Sequence, residues 1–284
     1  MPKVIKFVLA LVVAIPVLLL MASFIANYLF TLNAEKEVKA LFDNIDDKKE
    51  IVRKADLEGL PHSVQNWLEY SQVIGKERIK TVYLKQKGLM RTTEDGKWMP
   101  AEAEQYFRVD EPGFIWTAKI KIAPAIYLAG RDKYYEGKGH MLIKLLSLIP
   151  FADSRGEEID QGTLLRYMAE MPWFPTAALS NYIKWEEVDS NRARATMSYG
   201  GVTASGVYEF NEKGELVSFT ANRYREVNGR YVLQDWGGLT REYREFNSIK
   251  IPNKTDVVWK PETGDFTWYK LEITEIEYNK PSLY

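Results

Sequence analysis

The sequence predicts a mainly β protein with a helical cover (α+β), in which one transmembrane helix precedes a curled antiparallel sheet or half-barrel. A long apolar run lies near the N-terminus, between Phe7 and Phe30, and contains no charged residue. From residue 79 onward, about ten short runs with alternating polarity are separated by turn-forming residues, as in a meandering sheet. Aromatic residues make up 13% of the chain, and their rings pack well on the half-buried surface of strands.

The apolar run is long enough to cross a bilayer. As a helix it would reach roughly 36 Å, against about 30 Å of hydrocarbon. A cleaved signal peptide is the alternative, but its apolar core usually has about 7–15 residues and ends in a small-x-small site. Neither Ala22 nor Ala26 has a small residue at the right offset. We therefore favour an uncleaved single-pass anchor in the cell membrane.

The distribution of lysines indicates the orientation of this anchor. Lys3 and Lys6 precede the run without an acidic residue, which favours a cytoplasmic N-terminus and an extracytoplasmic soluble domain. Lysines also follow the run and weaken the asymmetry. We divide the chain into an anchor (1–32), a charged helical stalk (33–60) and a β-rich soluble domain (61–284). An apolar stripe on the stalk either packs on the domain or forms a coiled coil.

Within the β-rich domain, turn signals separate the strands, and Asn228-Gly229 is the strongest of them. A type I′ hairpin turn needs φ > 0 at both central residues, which Asn and Gly tolerate. A short helix is predicted over 62–70, with Val64, Trp67 and Leu68 on its inner face. A second helix interrupts the meander, begins with a cap at Asp160 and stops at Pro172.

Composition and motifs exclude several classes of function. The net charge is −1, so no basic field indicates a nucleic-acid partner. Cysteine is absent, which excludes disulfides, thiolate metal sites and cysteine nucleophiles. The two histidines, His62 and His140, lack the spacing of a zinc site, and no Gly-x-Ser-x-Gly motif accompanies them. We predict neither a cofactor nor a metal.

Several unusual segments occur in a fixed order along the chain. They are WMPAEAEQYF at 98–107, PGFIW at 112–116, GRDKY at 130–134, GKGHM at 137–141, GEEIDQG at 156–162 and LRYMAEMPW at 165–173. This set resembles a bacterial and archaeal family of uncharacterised membrane-associated proteins, known only as a domain of unknown function. The resemblance covers about residues 60–278 and implies no mechanism. The final third is also similar to the half-barrel of periplasmic lipoprotein carriers, a likeness of fold alone.

The polar residues inside these segments are the candidate ligand-binding residues, together with one tryptophan. Because side chains alternate along a strand, either Glu104 or Gln105 must face the covered side of the sheet. An inward carboxylate needs a partner, and Arg131 could clamp it bidentately. The full candidate set is Glu104, Gln105, Arg131, Asp132, Glu158, Asp160, Arg166, Glu170 and Trp173. A structural ion-pair network that fixes the helical insertion to the sheet is the alternative role.

Three functions remain open from the sequence. The first is a binding module for a lipid or another apolar ligand, based on the anchor, the aromatic residues and the stiff Pro172–Pro175 loop. This loop suits a lid, a membrane-facing edge or a partner contact. The second is an envelope hydrolase that uses Glu104 with Glu158 or Glu170 as acid and base. The third is a scaffold that contacts an envelope protein. The expected partners are the lipid bilayer and an apolar ligand or an envelope protein; an enzymatic role is the less favoured alternative.

Overall fold

A computed structural model describes residues 3–46, 48–260 and 264–283. Three α-helices occur in this part of the chain: α1 (Lys3–Leu41), α2 (His62–Tyr70) and α3 (Glu157–Glu170). Short 3-10 helices lie at Lys54–Leu57, Met171–Trp173 and Pro175–Leu179. The strands are β1 Thr81–Met90, β2 Met99–Arg108, β3 Gly113–Ala123, β4 Ile126–Tyr135, β5 Lys138–Leu145, β6 Ile149–Ser154, β7 Ile183–Glu187, β8 Arg192–Tyr199, β9 Val202–Phe210, β10 Leu216–Val227, β11 Arg230–Phe246, β12 Ile249–Lys260 and β13 Phe266–Tyr278.

The strands form a single antiparallel sheet that curls into a half-barrel, as the sequence predicts. Its order is β6-β5-β4-β3-β2-β1-β13-β12-β11-β10-β9-β8-β7. Consecutive strands pair with each other, except that β6 and β7 form the two edges of the sheet. The first strand pairs with the last at the centre. The turn at Asn228 and Gly229 has φ of 52° and 75°, which confirms the predicted type I′ geometry. Hairpin chemistry therefore accounts for the meander, and the pairing of β1 with β13 joins its two halves.

The concave face of the sheet is covered by the segment that connects the two edge strands. This segment consists of α3 and the two 3-10 helices that follow it, and α3 contacts β5 on one side and β9 and β10 on the other. Its side chains join a continuous core in which the Tyr167 ring packs edge to face on Phe107 and Phe174, and these two rings are tilted against each other. The predicted α2 is confirmed, and its Trp67 stacks on Phe210 in the same core. Aromatic packing thus fixes the cover to the curled sheet.

The second face of the sheet is convex, and the C-terminal half of α1 packs on it. Val38 and Leu41 are buried against Tyr83, Tyr106 and Ile115. This small cluster favours the prediction that the apolar stripe packs on the chain's own domain. Side chains that alternate along β1, β2 and β3 therefore serve two separate hydrophobic cores, one on each face.

The predicted helical stalk at 33–60 is helical only as far as Leu41 and again over the 3-10 turn at Lys54–Leu57. Arg108 explains the end of α1, because its Nη1 donates to the carbonyl oxygens of Leu41 (3.3 Å) and Asp43 (2.7 Å). Asn44 follows with φ of 55°, a left-handed conformation that ends a helix. The residues after the helix then run in irregular conformation along the domain.

The cover helix begins earlier than the sequence predicts. α3 starts at Glu157 after an N-cap at Gly156, whose φ is 117°. Asp160 therefore lies inside the first turn and does not cap the helix. Its buried carboxylate instead accepts hydrogen bonds from the β4–β5 hairpin, from the Gly139 amide (2.7 Å) and the Lys138 ammonium (2.9 Å). A tertiary partner has displaced the local capping bond.

The β4–β5 and β8–β9 hairpins lie on opposite sides of the β1–β13 pair, and their turns touch each other. A Cβ added to Gly200 would lie 2.5 Å from the Cα of Gly137, whereas one added to Gly201 would meet nothing within 4 Å. Both Gly200 and Gly201 have positive φ, so Ala at either position has the same kind of backbone strain. We expect Gly200→Ala to destabilise the fold by about 1–3 kcal/mol more than Gly201→Ala. Urea unfolding of the two variants measures this difference, and equal losses would contradict the contact.

Candidate functional site

The concave face of β1 to β5 is organised in cross-strand rows. Three rows run from β5 to β1. The first contains Asp132 and Gln105 and is called the polar row; the second has mainly small residues at its centre, and the third is the apolar row. They are, in that order, Met141, Asp132, Trp116, Gln105 and Leu84; Ile143, Gly130, Ala118, Ala103 and Gln86; and Leu145, Leu128, Ile120, Ala101 and Gly88. The polar row lies beneath α3, and the apolar row lies nearest the β3–β4 and β5–β6 turns.

Four of the candidate residues meet in one buried network between α3 and the sheet. Arg166 of α3 pairs through Nη1 with Asp132 of β4 (2.5 Å) and through Nε with Glu170 (2.8 Å). Gln105 of β2 donates from Nε2 to Glu170 Oε2 (2.7 Å). We call Asp132, Gln105, Arg166, Glu170 and their partner Gln86 the concave network.

Gln86 of β1 extends the network across the sheet. Its Nε2 donates to Gln105 Oε1 (3.1 Å), and its Oε1 accepts from Trp116 Nε1 and Tyr269 Oη, both at 3.3 Å. Neither Gln86 nor Tyr269 is among the candidate residues predicted from the sequence. Gln86 could have been found, because it lies between Lys85 and Lys87 and so faces the same side as Leu84.

Burial and neighbouring charges shape the electrostatics of the network. Burial disfavours the charge on Arg166, but Glu170 and Asp132 outweigh it and raise the pKa of Arg166. Burial raises the pKa of Glu170, although Arg166 and Gln105 both hydrogen-bond to its carboxylate. The Arg166 guanidinium also lies 4.7 Å from the centre of the Trp116 ring. Such stacking suits a weakly hydrated guanidinium in an aromatic environment.

A second arginine faces the same interior from β10. The Arg223 guanidinium lies over the Trp236 ring at 4.5 Å, and burial together with the charge of Arg166 lowers the pKa of Arg223 to about 10. No ion pair joins Arg223 to a carboxylate in the described part of the chain. Arg223 is not among the candidate residues predicted from the sequence. It places a cation without a direct counterion next to the concave network.

Glu104 and Arg131 lie on the opposite, convex face. Arg131 is only 6% exposed and pairs through Nε with Glu37 of α1 at 3.2 Å. The predicted pairing of Arg131 with Glu104 is therefore wrong. The register explains why: Thr117 of β3 is opposite both residues, which places them two strand spacings, roughly 10 Å, apart. Gln105, not Glu104, is the inward residue of the pair.

The remaining candidates have other environments. Glu158 is half-buried in the first turn of α3, where its charge contributes to the raised pKa of Tyr231. Trp173 is buried, and its Nε1 donates to the Pro252 carbonyl at 3.1 Å. The Pro172–Pro175 loop is therefore part of the core and not an exposed lid, because its aromatic rings fill the concave face.

The arrangement contradicts the carboxylate pairs proposed for a hydrolase. Glu104 lies on the convex face, whereas Glu158 and Glu170 belong to the concave cover. An acid and a base must flank one scissile bond, and here the sheet separates them. In the described residues, no group of three or more His, Asp or Glu side chains could hold a metal ion.

Beyond the concave network, apolar side chains at one end of the concave face stay partly exposed. Met99, Leu128, Trp259 and Trp268 pack against the core while remaining partly exposed. We call this surface, with Ile120 and Leu145, the concave groove. It combines an apolar wall with a polar, charge-balanced floor, an arrangement typical of sites for amphiphilic ligands.

The apolar row of the concave groove lies at the end of the sheet from which α1 leaves the domain, and we call this end the mouth of the groove. The Ser23 hydroxyl donates to the Leu146 carbonyl at 3.0 Å and lies 3.3 Å from the Tyr127 hydroxyl. Tyr127 and Leu146 directly precede and follow Leu128 and Leu145 of the groove wall. The N-terminal part of α1 and the mouth of the groove are therefore neighbours.

Comparison with known proteins identifies the family. A family model described as a family of unknown function, DUF6544, matches residues 50–271. The chain belongs to the DUF6544 family. The match covers the whole concave network and most of the sheet. A search of curated proteins found no match.

Several solved structures are similar to this DUF6544 chain over about three quarters of its length. A domain described as an outer membrane lipoprotein-sorting protein from Vibrio parahaemolyticus is 8% identical, with a TM-score of 0.43 over 76% of this chain and 92% of that chain. A LolA superfamily protein from Nitrosomonas europaea is 10% identical, with a TM-score of 0.43 over 76% and 94%. A DUF1329 family protein from Desulfovibrio piger is 10% identical, with a TM-score of 0.37 over 76% and 92%.

The concave network leads to a prediction about stability. Replacing Arg166 by Met leaves two buried carboxylates without their cation, so we expect the free energy of unfolding to fall by about 3–5 kcal/mol. The triple variant Arg166→Met, Asp132→Asn, Glu170→Gln has no buried charge at these positions and should recover much of this loss. Urea unfolding compares the two, and an unchanged stability of Arg166→Met would show that the ion pairs do not hold α3.

Proposed function

We propose that this DUF6544 protein is a membrane-anchored envelope protein whose concave groove binds a lipid or another apolar ligand close to the bilayer. The observation that carries the proposal is the position of the groove mouth beside the point where α1 leaves the domain. A ligand with a long apolar part could pass from the bilayer into the groove without crossing much water. The hydrophobic effect makes such a crossing costly, at about 0.8 kcal/mol for each exposed CH₂ group.

The anchoring part of the proposal rests on α1. It is long and apolar enough to cross a membrane, with a mean hydropathy of 2.9 over its most apolar stretch, of which 6% is buried. A helix in the core of a soluble protein would be largely buried, so this exposure favours a lipid environment. The lysines at positions 3 and 6 favour an N-terminus in the cytoplasm and a half-barrel outside it.

The rim of the half-barrel beside α1 supports contact with the bilayer. Ile122 and Ile126 flank the β3–β4 turn, and Ile149 and Phe151 follow the β5–β6 turn; all four side chains are exposed. On α1, Phe24 is also exposed, and it follows Ser23, which contacts the β5–β6 turn. An apolar rim next to an apolar helix suits the interfacial region of a bilayer, where such side chains leave water. We call these four residues the apolar rim.

The floor of the concave groove indicates the polarity of the ligand. The concave network contains Arg166 and two carboxylates, and Arg223 adds a cation without a direct partner. A purely apolar molecule would leave this floor without new hydrogen bonds. An amphiphile with one polar or anionic end satisfies both the wall and the floor, because its polar end can accept from Arg223.

Photo-crosslinking tests the groove. Full-length protein is reconstituted in vesicles that contain a phosphatidylcholine with a diazirine in its acyl chain, and crosslinked peptides are mapped by mass spectrometry. We expect crosslinks at Met99 and Leu128 themselves, assigned to single residues by fragment spectra, in addition to α1. Leu128→Trp fills the groove and should lower the groove crosslinks several-fold. Thr203→Trp adds the same bulk on the convex face of β9 and should leave them unchanged.

Crosslinks confined to α1 and the apolar rim would contradict ligand binding in the groove while leaving the anchor intact. An equal loss in both tryptophan variants would show that the loss does not come from filling the groove.

Spin labelling tests the position of the apolar rim. The chain has no cysteine, so Phe151→Cys gives one unique labelling site. Phe151 is 73% exposed beside α1, whereas Val188, 42% exposed, follows β7 at the opposite end of the strands. In vesicles, we expect a label at 151 to be accessible to oxygen and shielded from a water-soluble nickel chelate. The matched Val188→Cys label should show the reverse, and aqueous exposure of both labels would place the rim outside the bilayer.

A further inference from the structure

A second cavity lies on the opposite side of the sheet from the concave groove. It is a partly open cavity between α1 and the convex face of β4 and β5, with a volume of about 940 Å³. The helix contributes a stretch from Ala26 to Glu37, and the strands contribute side chains from Arg131 to Lys144. We call it the α1 cavity. The sheet itself separates it from the concave network.

The α1 cavity has an excess of positive charge. Six basic residues line it, against two acidic ones. The basic residues are Lys36, Arg131, Lys133, Lys138, Lys144 and Arg155, and the acidic ones are Glu37 and Glu136. Because like charges in a partly enclosed space repel one another, this lining favours an anionic occupant.

The hydrogen bonds show which cations are free to bind an occupant. Arg131 is fully used: Nε pairs with Glu37, Nη1 donates to the His140 carbonyl (3.0 Å) and Nη2 lies 2.8 Å from His140 Nδ1. Lys133 also pairs with Glu37, at 2.8 Å, and Lys138 pairs with Asp160. Arg131 and Glu37 therefore position α1 on the sheet.

His140 is held in its neutral form by the same contacts. Its Nδ1 faces the Arg131 guanidinium, so it accepts, and its Nε2–H donates to Asp153 at 2.7 Å. Burial and the charge of Arg131 both lower the pKa of His140. The histidine therefore adds no charge to the cavity at neutral pH.

Two lysines remain without an ion pair. Lys36 on α1 and Lys144 on β5 line the cavity from opposite walls, and neither forms a salt bridge in the described part of the chain. An ammonium group without a carboxylate partner can donate to a phosphate oxygen as a point charge. These two side chains are therefore the free donors of the cavity.

One end of the α1 cavity is apolar and lies on the bilayer side. Ala26, Leu29 and Phe30 of α1 and Leu148 after β5 line this end. It is level with Ser147, whose hydroxyl donates to Asn27 of α1 at 3.2 Å, and close to the apolar rim. Lys144 lies beside this apolar end, and Lys36 lies farther along α1. Hydrocarbon and ammonium groups are therefore adjacent in the cavity, as acyl chain and phosphate are in a phospholipid.

We propose that the α1 cavity binds an anionic phospholipid of the surrounding bilayer, with its phosphate between Lys36 and Lys144 and its acyl chains along Leu29 and Phe30. This site rests on the membrane anchoring proposed above and is separate from the ligand site of the concave groove. The bound lipid would fix the height of the half-barrel above the membrane, because one of its ends stays in the hydrocarbon. The volume of the cavity is in the range of small-molecule sites, about 300–1,000 Å³.

Native mass spectrometry of the full-length protein in detergent tests the site. Dioleoyl phosphatidylglycerol and dioleoyl phosphatidylcholine are added in parallel, and retained lipid is counted. We expect preferential retention of phosphatidylglycerol. Each lysine near anionic lipid contributes about a fivefold gain in binding, so Lys36→Ala with Lys144→Ala should lower retention about 25-fold. Lys39→Ala removes a lysine of the same helix that does not line the cavity, and it should leave retention unchanged.

The other outcomes contradict either the lipid site or the proposed anchoring. Equal retention of the two lipids, or an equal effect of the double variant and of Lys39→Ala, would overturn the site. Release of bound phosphatidylglycerol by millimolar inorganic phosphate alone would assign the cavity to a free anion and would also overturn it. Release of the full chain from native membranes by alkaline carbonate would instead overturn the proposed anchoring, which the detergent experiment does not measure.

Discussion

The alternation of side chains in the antiparallel sheet is the constraint on which the rest of the structure depends. Arg131 and Asp132 are neighbours in sequence, yet one pairs with Glu37 of α1 on the convex face and the other with Arg166 of α3 on the concave face. Because β1 to β4 have buried residues on both sides, both faces of this part of the sheet must be covered. Two helices supply these covers. The Arg131–Glu37 pair orients α1 on the sheet, and the Arg166–Asp132 pair orients α3.

The concave network is better understood as an orienting device than as a large source of stability. Moving three charges out of water costs free energy that their mutual attraction only partly returns. Removing Arg166 lowers the stability, however, because an unpaired carboxylate would stay buried. The ion pairs and the Gln105 amide therefore select one rotation of α3 on the sheet, while the apolar core around Phe107 and Phe174 supplies favourable burial.

The two proposed binding sites share a common geometry because α1 leaves the domain at one end of the sheet. The mouth of the concave groove, the apolar rim and the apolar end of the α1 cavity all lie near the Ser23 and Asn27 contacts. In the proposed anchored state, α1 packs along the convex face and brings these features to the bilayer together. The half-barrel then has one lipid-facing end, and the sheet keeps the two sites apart.

The sequence alone determined the classes of element and their order. The uncharged run at 7–30, the Asn228-Gly229 turn and the inner face of α2 follow from local rules of length, φ preference and periodicity, and the structure has the corresponding elements. The same alternation rule required either Glu104 or Gln105 to face inward. Local rules suffice for these features because each depends on neighbours within one or two turns of chain.

Only the tertiary structure decided which residues meet. Arg131 pairs with Glu37 because α1 folds back along the convex face, and Asp160 bonds to Gly139 because the β4–β5 hairpin reaches the start of α3. Glu104 stays away from Arg131 because β3 lies between their strands. These partners are set by strand order, curvature and the path of the helices, which bring together residues far apart in the chain and which residue spacing does not encode.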